Sequence, residues 1–164
     1  MTALRLLDLS SNHFSGSMTL SHLSSLQSLK YLDLSKNYFS PIRLSSFFNL
    51  SKLEVVLSDN NEIIDQAESQ TWAPTVQLKV ISLSGSSSKR SSGTIPRFLR
   101  YQHKLRLSYL YIENNQFSEK ILNSLSGIDD RAFDFSNNYL SGELPKWMGE
   151  YVFIGRDCYG RQSA

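Results

Sequence analysis

The chain has 164 residues, 40% of them hydrophobic and 20% charged, with a formal net charge of +2. That is enough for one ordinary domain but not for two large ones, and the charge is too small to indicate a polyanion-binding protein. The lone cysteine, Cys158, excludes an internal disulfide; no apolar run approaches the roughly 20 residues of a membrane span; and Met1-Thr2-Ala3-Leu4-Arg5 shows no signal-peptide pattern.

From Leu4 the chain sets Leu4, Leu7 and Leu9 against Asn12 and Phe14. The same frame returns at Leu29, Leu32, Leu34, Asn37 and Phe39. It returns again at Leu107, Leu110, Ile112, Asn115 and Phe117, and finally at Phe133, Phe135, Asn138 and Leu140. The asparagine position falls at Asn12, Asn37, Asn61, Ser86, Asn115 and Asn138, about 24 residues apart except for the longer interval between Ser86 and Asn115. This periodicity predicts an α/β repeat solenoid: a leucine-rich-repeat horseshoe segment of about six turns. Short parallel strands line its concave face, and its convex side is mostly irregular or 3-10. The leucines of each L-x-x-L-x-L point inward, and the alternate residues point out. The asparagine amide, with two donors and an acceptor, is suited to satisfy backbone groups of its own and adjacent turns. Phe14, Phe39, Ile63, Phe117 and Leu140 are expected to make a second buried column.

Taken in order, turn one runs from Leu4 to about Leu26, and turn two, Leu29 to Leu50, is the most regular. Turn three begins at Leu53 and Val56. Its register is open by one: either Asn61 is the ladder residue and Ser58 takes the third leucine slot, or Asn60 is and Leu57 takes it. Its polar return side, Ile63 to Thr75, is expected to be irregular and ends in Trp72-Ala73-Pro74. Turn four keeps Leu78, Ile81 and Leu83 but puts Ser86 in the asparagine position and Ser88 in the spine. The segment Ser84 to Ser92 is expected to bulge and to be the weakest point of the stack. Turn five is regular. Turn six has Asp130 at its first leucine and then recovers. Residues 1–149 thus read as a single repeat domain and 150–164 as an irregular C-terminal tail.

The segments Ser15-Gly16-Ser17-Met18, Ser92-Gly93-Thr94-Ile95-Pro96 and Ser141-Gly142-Glu143-Leu144-Pro145 follow the L-x-L-S-x-N-x-F/L pattern. Together with Trp72-Ala73-Pro74, Phe98-Leu99 and Leu144-Pro145-x-Trp147, they resemble the ectodomain of a plant leucine-rich-repeat receptor-like protein. The resemblance covers about residues 3 to 149. It implies a cell-surface solenoid of many repeats with cysteine-paired caps, a transmembrane helix, a short tail and no kinase. Against that pattern the chain reads as an excised middle, with Leu4 and Leu7 facing water and membrane contact made only through parts absent from it. The implied role is non-catalytic recognition of a peptide or of a wall- or microbe-derived ligand, in defence or development signalling, with a co-receptor kinase as a partner. The alternatives from the same repeats are a secreted inhibitor of a wall-degrading enzyme and a truncated, non-functional receptor remnant.

The strand x positions form the concave face, and large rigid side chains with a polar tip are good recognition residues there. Tyr31, Asp33, Tyr109 and Tyr111 are the candidate ligand-binding patch. Asn49-Leu50-Ser51 is an N-glycosylation sequon. The basic run Lys89 to Arg106 lacks an accompanying aromatic-stacking module and reads as a solvated face, so no nucleic-acid partner is expected. His13, His22 and His103 lie in different turns without metal spacing, Cys158 has no nucleophile signature, and no phosphate-binding glycine loop occurs. No catalytic residue, metal or cofactor is expected.

Overall fold

The computed structural model describes residues 3–18, 23, 25–39, 42–43, 47, 49–64, 76, 78–86, 94–96, 98–99, 107–118, 120 and 132–146. The Trp72-Ala73-Pro74 segment, residues 87–93 of the turn-four loop, most of the basic run, Asp130 and the 150–164 tail lie outside the described residues.

Alternation of inward leucines with outward residues produces six three-residue strands: β1 (Leu6–Asp8), β3 (Tyr31–Asp33), β6 (Val55–Leu57), β8 (Val80–Ser82), β9 (Tyr109–Tyr111) and β10 (Ala132–Asp134). They form one parallel sheet in the order β1-β3-β6-β8-β9-β10. The register is continuous. Leu7, Leu32, Val56, Ile81, Leu110 and Phe133 stand side by side at the strand centres. The four inner members of that row are at most 1% exposed, as are Leu29, Leu53 and Leu107 in the first leucine slot. Leu7 and Phe133, in the outer turns, are only partly buried, because each packs on one neighbouring turn among the described residues.

Short strands follow the asparagine: β2 (Ser15–Gly16) pairs with β4 (Tyr38–Phe39), and β5 (Ile42–Arg43) with β7 (Ile63–Ile64), both parallel. The leucine pattern did not predict these pairs, since two-residue strands leave no periodicity to read. Phe14 stacks on Phe39 at 6.1 Å between ring centroids but is itself 47% exposed, so the second column is buried at Phe39, Ile63 and Phe117 and not at Phe14. The described return segments are irregular or 3-10, as at Phe47 and Phe98–Leu99, apart from helical Leu23.

Between strand and return segment the backbone must bend sharply, and two devices hold that bend. The first is a column in the left-handed region: Ser11, Lys36, Asn60, Gly85, Asn114 and Asn137, with φ from 52° to 63°. Each of the first five donates its N–H to the next turn, to Ser35, Asp59, Ser84, Glu113 and Ser136 carbonyls at 2.8–3.0 Å. Most side chains are strained at such a φ, asparagine least among them. At Gly85 it is also crowded, because a Cβ there would run into Asn60 Oδ1.

The second device is the asparagine ladder, which reaches the opposite way. Asn115 Nδ2 donates to Ile112 O (2.8 Å) and Glu113 O (3.1 Å) in its own turn and to Leu83 O (3.0 Å) in the turn before, and its Oδ1 accepts Ser86 N–H at 3.0 Å. Asn37 does the same with Leu34, Ser35 and Leu9 carbonyls and Phe14 N–H, and Asn138 with Phe135, Ser136 and Ile112 carbonyls and Phe117 N–H. Among the described residues, exposed Asn12 bonds only within its own turn, to Leu9 O and Ser10 O.

Turn three resolves its open register. Asn61 is the ladder residue, 2% exposed, and donates to Leu34 O at 2.9 Å; Leu57 is on the concave face, level with Asp33 and Ser82. Ser58 therefore occupies the third leucine slot, fully buried, and its Oγ has no hydrogen-bond partner among the described residues. Asn61 Oδ1 is likewise unpartnered. In turn four Ser86 is too short to reach as an asparagine does, and its hydroxyl donates to Asn61 O instead, at 2.9 Å.

Two opposite stability changes are expected. Asn115→Ala removes four hydrogen bonds, two of them buried, and lowers unfolding free energy by about 2–4 kcal/mol, while Asn12→Ala lowers it by under about 1. Ser58→Ala, which deletes a buried hydroxyl without a partner, raises it by about 1 kcal/mol. Urea unfolding followed by circular dichroism reads all three.

Candidate ligand-binding face

The sheet register builds the concave face in two rows. On one flank of the buried centre line stand Leu6, Tyr31, Val55, Val80, Tyr109 and Ala132; on the other stand Asp8, Asp33, Leu57, Ser82, Tyr111 and Asp134. Alternation along a strand turns both rows away from the leucine core. Tyr31, Val55, Leu57, Val80, Tyr109 and Tyr111 are half-buried, and Leu6 is 59% exposed. The face is thus largely apolar along its middle.

The four candidate residues fall into two groups. Tyr31 and Asp33 share β3, with the tyrosine hydroxyl donating to Asp33 Oδ2 at 3.4 Å. Tyr109 and Tyr111 share β9, with their rings stacked 6.3 Å apart at 18°. β6 and β8 lie between the two groups, a separation of about 14 Å at the usual spacing of parallel strands. Burial raises the Tyr31 hydroxyl pKa, and the charges of Asp33 and Asp8 add to the rise. Tyr111 is raised by burial first and then by Tyr109, Glu113 and Asp134.

Asp33 also has a structural duty. It is 8% exposed, and its Oδ1 accepts Ser35 N–H at 2.8 Å, closing the bend after the strand. Asp8 and Asp134 close the same bend through Ser10 and Ser136 N–H, both at 2.9 Å. In turn four, where Ser82 replaces the aspartate, Asp59 of the previous turn substitutes. Its Oδ1 takes Ser84 N–H at 2.8 Å and Ser82 Oγ–H at 2.6 Å.

At the other strand end runs an ion ladder that single-turn reading did not reveal. Glu54 bridges Lys30 Nζ at 2.8 Å and Lys79 Nζ at 2.7 Å. The signal was present, since the three residues hold the same repeat position with alternating charge. The hydrogen bonds from the two ammonium groups pull the Glu54 pKa down to about 2. Asn49 is exposed, next to buried Leu50, away from the sheet. His13 is exposed beside Tyr38, while His22, His103 and Cys158 lie outside the described residues. Among the described residues no group of His, Cys, Asp and Glu side chains has the arrangement to hold a metal ion, and no helix is long and apolar enough to cross a membrane.

A family model described as Leucine Rich Repeat matches residues 3–26, 28–50 and 106–128. The chain is 31% identical over 176 residues to Cuscuta receptor 1 of Solanum lycopersicum, an alignment covering 90% of this chain and 15% of that protein. It is 37% identical over 108 residues to receptor-like protein 14 of Arabidopsis thaliana, covering 65% of this chain and 8% of that one. The chain therefore spans less than a fifth of the length of these curated relatives.

The ion ladder has a pH signature. Because the Glu54 pKa is depressed in the fold, its stabilisation is fully present above the carboxylate's unfolded value and is lost as pH falls through about 2. The lysines are more than half exposed, so screening limits the effect to at most about 1 kcal/mol. Glu54→Gln should be the less stable protein near neutral pH, and its difference from wild type should shrink towards pH 2 or in molar salt. Urea titrations across pH check this.

Proposed function

The chain is a leucine-rich-repeat protein of the plant receptor-like kind, and we propose that its concave sheet is a non-catalytic ligand-recognition surface. One observation carries the reading. A continuous register places Tyr31, Val55, Leu57, Val80, Tyr109 and Tyr111 half-buried on one face, outside the leucine core and with no role in the ladder. Half-buried tyrosines and aliphatics on a rigid sheet supply contact area that a ligand covers at small entropic cost. The ligand is a peptide or a fragment of plant or microbial wall. Its recognition serves defence or development signalling at the plasma membrane, with a co-receptor kinase as the coupled partner. Asn49, exposed on the return side, carries a glycan in the secreted protein.

The test is a titration of the secreted full chain with synthetic peptides, chitin oligomers and oligogalacturonides. Whichever probe binds should lose about tenfold or more in affinity on Tyr109→Ala or Tyr111→Ala, with the thermal melt little changed. Replacing Asn49 with glutamine should leave affinity unchanged. Binding that survives every concave substitution overturns the reading.

A further inference from the structure

The two tyrosine groups share a second property beyond their aromatic character. Tyr31 stands beside Asp33 on its own strand and level with Leu6 next to Asp8; Tyr111 pairs in register with Asp134 and is followed two residues later by Glu113. Glu113 Oε2 is shut from water and has no hydrogen-bond partner among the described residues. Each group therefore offers an aromatic face backed by two carboxylates, the surroundings that favour an organic cation. The residues between them, Val55 and Val80 in the tyrosine row with Leu57 beside them, carry no charge. Among the described residues the basic neighbours of the tyrosine row are Arg5, Lys30 and Lys79, at the strand starts and away from Asp33 and Tyr111, and both lysines are bound to Glu54.

The separation of the groups sets a length. Three strand spacings are about 14 Å, and an extended chain advances about 3.3 Å per residue, so four residues cover the span. Residues i, i+2 and i+4 of an extended segment face the same way. We infer that the ligand of the concave face is an extended peptide with basic side chains at i and i+4 and an apolar one at i+2. The basic groups sit at the Tyr31/Asp33 and Tyr111/Glu113/Asp134 positions, with the apolar residue on Val55 and Val80. This rests on the concave face being the recognition surface and adds the chemistry of what it recognises.

The test uses the full chain and fluorescein-labelled, end-blocked pentapeptides read by anisotropy. The first is lysine-serine-leucine-serine-lysine, the second places the two lysines side by side, and the third replaces both lysines with glutamate. The first should bind about tenfold more tightly than either control, weaken about threefold or more with Glu113→Gln, and weaken steeply with salt. Equal binding of all three, abolished by Val80→Glu, overturns the charge pattern and leaves concave-face recognition standing. Binding that Val80→Glu does not change overturns both. No binding of the first peptide overturns the pattern, while the wall-fragment titration still decides the recognition surface.

Discussion

The fold depends on where the bend after each strand finds its hydrogen bonds. A solenoid turn must leave its strand within a few residues, and the carbonyls at that corner face the interior, where an unpaired group costs about 1–3 kcal/mol. No helix or sheet ladder reaches them. The asparagine amide does, giving Nδ2 to carbonyls of its own and the preceding turn and taking a backbone N–H on Oδ1, as at Asn37, Asn115 and Asn138. The left-handed residue just before it sends its N–H to the following turn. Each inner turn is thus tied backwards by a side chain and forwards by the main chain, and the leucines stack only because this corner repeats without drift.

The exceptions cluster where the period is disturbed. Ser58 fills a leucine slot, Asn61 Oδ1 accepts nothing from the described residues, and Ser86 replaces an asparagine. Local repairs limit the damage: Asp59 takes over the bend of the next turn, Ser82 and Ser84 lie close enough to share hydroxyl contacts, and Gly85 meets the left-handed φ without strain. The backbone pairing of β6 with β8 continues unbroken through this seam. In a stack whose stability is a sum of neighbour interfaces, a polar interface in the middle lowers cooperativity there more than it alters shape.

Much of this was legible in the sequence because the signals were periodic. Leu7, Leu32, Val56, Ile81, Leu110 and Phe133 could be aligned by counting, and with them the outward neighbours Tyr31, Asp33, Tyr109 and Tyr111. Counting alone could not choose between Asn60 and Asn61, since both are asparagines beside an apolar slot. The structure separates them by backbone conformation, Asn60 at φ 56° and Asn61 buried with its amide turned inward. The left-handed column was also readable in principle. Asn60, Gly85, Asn114 and Asn137 are residue types that accept a positive φ, although Ser11 and Lys36 in the same column obscure the trend. The Lys30–Glu54–Lys79 ladder and the double duty of Asp33 needed side-chain geometry, because they join turns about 24 residues apart or depend on which carboxylate oxygen faces the bend.

The same constraint explains why chemistry concentrates on the concave face. Leucine, asparagine and left-handed positions are committed to the corner and the stack, so a change at Leu34 or Asn115 disturbs two interfaces at once. The outward strand positions touch neither, apart from Asp8, Asp33, Asp134 and Ser82, whose side chains help to close the corner. Val55 and Tyr31 occupy equivalent places in adjacent turns, as do Leu57, Ser82 and Tyr111, without displacing the strands from register. A scaffold that holds its backbone through one set of residues leaves the alternate set free to differ from turn to turn. Here that set brings two tyrosine–carboxylate groups to either side of an aliphatic strip. The tyrosines and aliphatics of that set are residues the fold does not need, and so they are where a ligand's chemistry can be met with little loss of stability.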